Sequence, residues 1–176
     1  MAAFAATFSV YSYFTVWLNA VVGMDMHKVA ITLFGFGAAG FFGNLVASRI
    51  ADRIPIAGTL AAVSAVAAAA AGAATYHRDM IILAPLLALW GAAHIAVVTL
   101  CQVRVITAGG RAPAFAMSMN ISAANLGIAA GALIGGSVIN RAGLDAIAVA
   151  PIGLTMLVAM TAALVPLAAR VCRCST

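Results

Sequence analysis

The sequence predicts an all-α membrane protein of six transmembrane helices built as two inverted three-helix repeats. Three observations predict it. Hydrophobic residues make up 65% of the 176 and charged ones 7%, against about 25% charged in a soluble domain, so the chain cannot cover itself with a hydrated surface. Charge-free stretches recur at the length of about 20 residues that a helix needs to cross the bilayer hydrocarbon. Two glycine-bearing stretches, three helices apart, also resemble each other.

The expected spans are Met1–Val22, Val29–Ser48, Ile54–Ala74, Met80–Cys101, Pro113–Ile139 and Ala146–Ala169. The connections between them are short, so residues 1–176 read as one transmembrane domain without a soluble module. Met1–Val22 lacks a basic n-region, and its apolar run is too long for a signal peptide. A chain opening inside a membrane helix suggests that something normally precedes it. The second span carries Gly35, Ala39, Gly43 and Ala47 at every fourth position, then meets Arg49, Asp52 and Arg53 in quick succession. The third is alanine-rich, and the fourth holds His94, the only ionisable side chain deep within a span. The fifth repeats the small-residue spacing in Ala123, Gly127, Gly131 and Gly135, which lets helix backbones approach closely in lipid.

A shift of 88 residues lays Gly43 on Gly131, Leu45 on Leu133 and Arg53 on Arg141. Val46 then meets Ile134, Ile50 meets Val138, and Asp52 meets Asn140. Copies separated by an odd number of helices face opposite sides of the membrane, which is the mark of an inverted-topology repeat.

With six spans, Arg49, Arg53, Arg104, Arg111, Arg170 and Arg173 share the face of the termini. Lys28, Arg78 and Arg141 fall on the other face with Asp25, Asp79 and Asp145. Basic residues collect on cytoplasmic loops, so both termini are expected in the cytoplasm, and the net charge of +5 needs no nucleic-acid partner to explain it. Cys101, Cys172 and Cys174 form no disulfide framework, and a Cys-x-Cys pair without further ligands is a poor metal site. Neither a glycine-rich phosphate loop nor a catalytic constellation is present, which argues against an enzyme or an ATP-driven pump.

Tyr11-Ser12-Tyr13, the block from Gly43-Asn44 to Asp52-Arg53, Gln102-Val103-Arg104 and Asn120-Ile121-Ser122-Ala123-Ala124-Asn125-Leu126-Gly127 occur in an order and spacing that carry a resemblance. Over essentially its whole length the chain resembles the C-terminal half of major facilitator superfamily transporters, in the drug:proton antiporter branch related to arabinose and chloramphenicol efflux permeases. The resemblance implies helices seven to twelve of a twelve-helix protein in the bacterial inner membrane. It also implies secondary efflux of drugs or sugars by alternating access, with a proton gradient as energy source and no cofactor. The partners it implies are the lipid bilayer, a small-molecule substrate and an N-terminal six-helix half. A half-size homodimer and a non-transporting scaffold or remnant are the alternatives.

Within that resemblance Gly43, Arg49, Asp52 and Arg53 occupy the place of a charge-relay clasp that holds one gate. Read from chemistry alone, they equally suit interfacial anchors of the helix end. His94 is either a proton-carrying group or a neutral imidazole bonded to a neighbouring helix. Tyr13, Trp17 and Asn19 on the first span, and Ser118, Ser122 and Asn125 on the fifth, need partners or a water-filled cavity inside the bilayer. They are candidate cavity-lining residues or interhelical contacts. Gly127, Gly131 and Gly135 are candidates for helix packing.

Overall fold

The computed structural model describes the backbone of residues 1–173 and the side-chain surroundings of residues 1–163. The side chains of Arg170, Cys172 and Arg173, and Cys174 altogether, lie outside the described residues. Among the described residues seven α-helices follow one another: α1 (Ala2–Tyr11), α2 (Phe14–Ala20), α3 (Met26–Ile50), α4 (Pro55–Thr75), α5 (Met80–Ala108), α6 (Pro113–Ala142) and α7 (Val149–Arg173), with a short 3-10 turn (Leu144–Ala146) before the last. No strand occurs among the described residues. Five of the helical stretches are long and apolar enough to cross a membrane, from Met26–Ile50 through Leu144–Ala163. The protein is an all-α polytopic membrane protein.

The stretch Met1–Val22 is two helices rather than one, broken at Ser12 and Tyr13. No glycine or proline marks the break. A run of hydroxyls accompanies it: Thr7, Ser9 and Ser12 each donate to a carbonyl one turn earlier, Ser12 to Phe8 at 2.8 Å. Such back-bonding bends a helix. The amide of Tyr13 then bonds the carbonyl of Val10 at 3.1 Å instead of that of Ser9.

Most later boundaries have local causes. The Asp25 carboxylate accepts from the Lys28 amide at 2.9 Å and starts α3, and Asp79 accepts from Ile81 at 3.0 Å and starts α5. Pro55 and Pro113 open α4 and α6, where a missing N–H leaves nothing unpaired. Gly143, at φ 81°, ends α6 in a conformation other residues resist. The Lys28 amide, acting first among several donors, holds the Asp25 carboxyl below its ordinary 3.8. Its contribution to the cap is therefore complete above 3.8 and drains away as pH falls through the lower native value. Amide exchange at Lys28 and Val29, corrected for intrinsic rates, is expected to quicken in the native chain only as pH falls below 3.8, and to show no such step in Asp25→Ala.

Two helices act as hubs. Against α5 lie α3 and α4; against α1 lie α6 and α7; and α4 meets α7 between them. Exchanging the first three-helix unit for the second maps one set of contacts onto the other. The close approaches agree. A Cβ on Gly43 would run into the backbone of Ala92, and one on Gly131 into the backbone of Ala5, 87 residues earlier than Ala92 and within one position of the 88-residue shift. The α1–α6 contacts Met1 with Gly127, Ala5 with Gly131 and Ser9 with Gly135 ascend both helices together, so the two helices run parallel. Phe36 with Gly91, Gly40 with Ile95 and Asn44 with Thr99 make α3 and α5 parallel in the same way.

The small-residue stripe of α3 runs differently from the spacing of Gly35, Ala39, Gly43 and Ala47. Gly35 faces open space, and the buried positions are Phe36, Gly40, Gly43 and Ala47. A strict four-residue step drifts around a helix of 3.6 residues per turn, whereas alternating steps of four and three keep one face on a neighbour. The core lies in two layers along the bundle. Phe14, Trp17, Leu18, Phe36, Leu87 and Trp90 fill one, and Ala47, Ala62, Val63, Val97, Leu100 and Val158 belong to the other.

Candidate functional site

Arg49 closes α3, and Asp52 and Arg53 follow in the short turn before Pro55; all three side chains are exposed. No ion pair links them among the described residues, where the one salt bridge is Lys28 to Asp25 at 3.3 Å, at the opposite end of α3. Asp52 instead shares a recess of about 320 Å³ with Arg104, Pro55 and Thr107. Arg104, near the end of α5, also lines a cavity of about 240 Å³ with Thr59, Cys101, Asn120 and Thr161. It therefore stands between the Asp52 turn and the middle of the bundle. Its place in a Gln-Val-Arg run at the end of a span was legible; its position opposite Asp52 required the packing of α4 against α5.

His94 is 4% exposed and sits on α5 among aromatic rings. Its ring centroid lies 4.6 Å from Tyr11, 5.0 Å from Phe8 and 6.1 Å from Phe36. The buried Nδ1 has no hydrogen-bond partner. Tyr11, at the end of α1, covers the histidine and is itself 36% exposed. The cluster joins α1, α3 and α5 next to the break at Ser12, so any displacement of α1 changes the surroundings of His94. Spacing gave no hint of this, because Phe8, Tyr11, Phe36 and His94 come from three helices.

The remaining polar residues part company. Tyr13 donates its hydroxyl to the carbonyl of Ala132 at 2.8 Å, binding the broken helix to α6. Trp17 is 1% exposed in the core, and its Nε1 is unpartnered. Asn19 donates to the Met24 carbonyl at 2.9 Å and closes the turn before α3. Ser118 and Ser122 are exposed on α6 and donate to carbonyls of their own helix, while Asn125 is exposed one turn further on. Gly127, Gly131 and Gly135 are buried against α1. One polar contact between helices lies outside the sequence-based set: Thr99 donates to Asn44 Oδ1 at 2.7 Å, linking α5 to α3 one residue from Gly43.

Comparison with known proteins bears directly on these helices. The chain is 34% identical over 136 residues to the inner membrane transport protein YdhP of Escherichia coli O157:H7, an alignment covering 77% of this chain and 35% of that protein. It is 30% identical over 148 residues to the chloramphenicol efflux pump Rv0191 of Mycobacterium tuberculosis (strain ATCC 25618 / H37Rv), covering 80% of this chain and 36% of the pump. The chain is similar to named membrane transport and efflux proteins, consistent with the resemblance to major facilitator drug-efflux transporters. No family model matches it. It spans about a third of the length of the curated relatives it matches. The exposed charged turn, the Arg104 recess and the aromatic cover of His94 are where these helices gather their charged and titratable side chains.

Proposed function

We propose that this chain forms one wall and one gate of a secondary efflux transporter that works by alternating access. The observation behind the reading is the repeated packing of α3 on α5 and α6 on α1, in a chain similar over three-quarters of its length to named transport and efflux proteins. Parallel helices seated on glycine can rock as a unit, because backbone-to-backbone contact leaves no long side chains to repack. The unit rocks against a second six-helix body, which is either an N-terminal half or another copy of this chain. The termini lie in the cytoplasm, and the protein resides in the bacterial inner membrane.

Asp52 and Arg104 approach across their shared recess in one state and separate in the other, with Arg49 and Arg53 as alternative partners. A carboxylate that trades guanidinium partners supplies the two discrete arrangements a gate requires. No Asp or Glu lies within the helices except the exposed Asp residues at their ends, so a proton-coupling carboxylate is assigned to an N-terminal half; two copies of this chain would have none within their spans. The substrate is a small amphipathic molecule. Chloramphenicol is the first one to test, since one relative is named for its efflux.

Deleting the gene at its own locus is expected to raise cellular accumulation of labelled chloramphenicol or of another small amphipathic drug. Asp52→Asn at the locus is expected to slow efflux about tenfold, the rate equivalent of losing one charge-assisted hydrogen bond. Unchanged accumulation of every compound tried after deletion would sink the reading. The mass of the C-terminally tagged native product separates the two partners: near twice 17.7 kDa for an attached half, near 17.7 kDa for two copies.

A further inference from the structure

A groove of about 550 Å³ runs between α3 and α4 over a floor of α5. Its walls are small, with Ala47 on α3, Ala57 and Ala61 on α4, and Ala92 and Ala96 on the floor. We propose that this groove binds one acyl chain of an anionic phospholipid, whose headgroup is held by Arg49 and Arg53. Three features of the groove select that occupant.

The first is length. The floor extends from Leu89 to Leu100, about 16 Å at 1.5 Å per residue, which is half of the roughly 30 Å of bilayer hydrocarbon. The groove therefore spans one leaflet, starting at the membrane face where α3 ends and stopping near the midplane. The second is width. About 550 Å³ spread over that length leaves a mean cross-section of about 34 Å², well short of the roughly 80 Å² of a helix 10 Å across. A polymethylene chain fits within it, whereas a helix of another protein would rest across its rim.

The third feature is charge. Every residue lining the groove is apolar, and Ile50 and Ile54 line its end nearest the turn between α3 and α4. Arg49 and Arg53 immediately precede these two isoleucines, both exposed and free of any ion pair among the described residues. Two guanidinium groups against the single carboxylate of Asp52 leave a net positive end at the depth of the headgroups. Arginine presents a fork of donors that matches a phosphate. The site shares Arg49 and Arg53 with the proposed gate, but its lipid selectivity holds whether or not the chain moves a substrate.

The test is native mass spectrometry of the purified chain in detergent, titrated with phosphatidylglycerol or with phosphatidylcholine of identical acyl chains. Phosphatidylglycerol adducts are expected to exceed phosphatidylcholine adducts at least threefold. Arg49→Gln with Arg53→Gln is expected to bring that ratio close to one while adducts of both lipids persist. Ala61→Leu, at an exposed wall position where a longer side chain meets no core, is expected to cut adducts of both lipids, and Ala57→Leu gives an independent filling of the same wall. Equal binding of the two lipids by the native chain overturns the proposal, as does a preference that survives the double arginine variant. Full adducts in both filled variants also overturn it. A protein dimer that disappears on filling the groove overturns it in favour of a second copy as the occupant.

Discussion

Gly43→Val and Gly131→Val are each expected to destabilise the folded bundle by more than about 3 kcal/mol, the upper end of ordinary overpacking. A Cβ at Gly43 meets the carbonyl and Cα of Ala92, and one at Gly131 meets those of Ala5. Both obstacles are backbone, so no rotamer change relieves them and the helices must separate. Gly35→Val, two turns before Gly43 on the same helix, points into open space and is expected to change stability by less than about 0.5 kcal/mol. Helix propensity acts weakly the other way, since valine, β-branched, recovers only part of the roughly 0.5–1 kcal/mol that alanine gains over glycine in a helix interior. Reversible unfolding in mixed micelles, followed by circular dichroism, separates the two forces. Should Gly43→Val match Gly35→Val, the close approach of α3 to α5 is wrong.

His94 yields the second large effect, through a pair of substitutions that differ in sign. His94→Ala removes a ring from a site packed by Phe8, Tyr11 and Phe36 and leaves a cavity among three helices; a loss of about 3 kcal/mol is expected. His94→Phe keeps the ring and removes an Nδ1 that is buried without a partner. Leaving such an atom unsatisfied costs about 1–3 kcal/mol, so the phenylalanine variant is expected to equal or exceed the native chain in stability. The same unfolding experiment reads both. A phenylalanine variant as damaged as the alanine one would show that the imidazole nitrogen has a partner in the membrane. Efflux measured in the stable phenylalanine variant then tells whether the histidine serves transport or only packing.

Legibility in the sequence followed the range of the interaction. Asp25 and Asp79 could be seen as the charged ends of spans, because a cap acts within three residues of the chain. Gly43 and Gly131 could be paired by an 88-residue shift, because a repeated backbone contact demands a repeated glycine. The break at Ser12 escaped a reading based on apolar length: the hydroxyls of Thr7, Ser9 and Ser12 count as minor polarity in a hydropathy profile, yet each redirects a backbone carbonyl. Gly35 looked equivalent to Gly43 at eight residues' distance, but eight residues exceed two turns by enough to rotate it off the α5 face.

The polar residues divide along the same line. Ser118 and Ser122 satisfy their hydroxyls within one helix, as their chemistry permits anywhere on a helix. Tyr13 and Trp17, one turn apart, end in different settings, one bonded to α6 and the other sealed in the core. Their spacing carried no information on which neighbour each would meet.

Composition alone settled that this chain resides in a bilayer, since 7% charged residues cannot hydrate a surface and charge-free runs match the hydrocarbon thickness. Hydropathy is a sum over neighbours in the chain, and it survives without knowledge of the fold. Which helices touch was decided only in three dimensions. The aromatic cover over His94 and the one-leaflet groove over α5 each draw on three helices, and the Arg104 recess facing Asp52 on two helices and the turn after α3. Lipid is as apolar as the side chains it solvates, so hydrophobicity cannot choose among helix neighbours, and close backbone fit makes that choice.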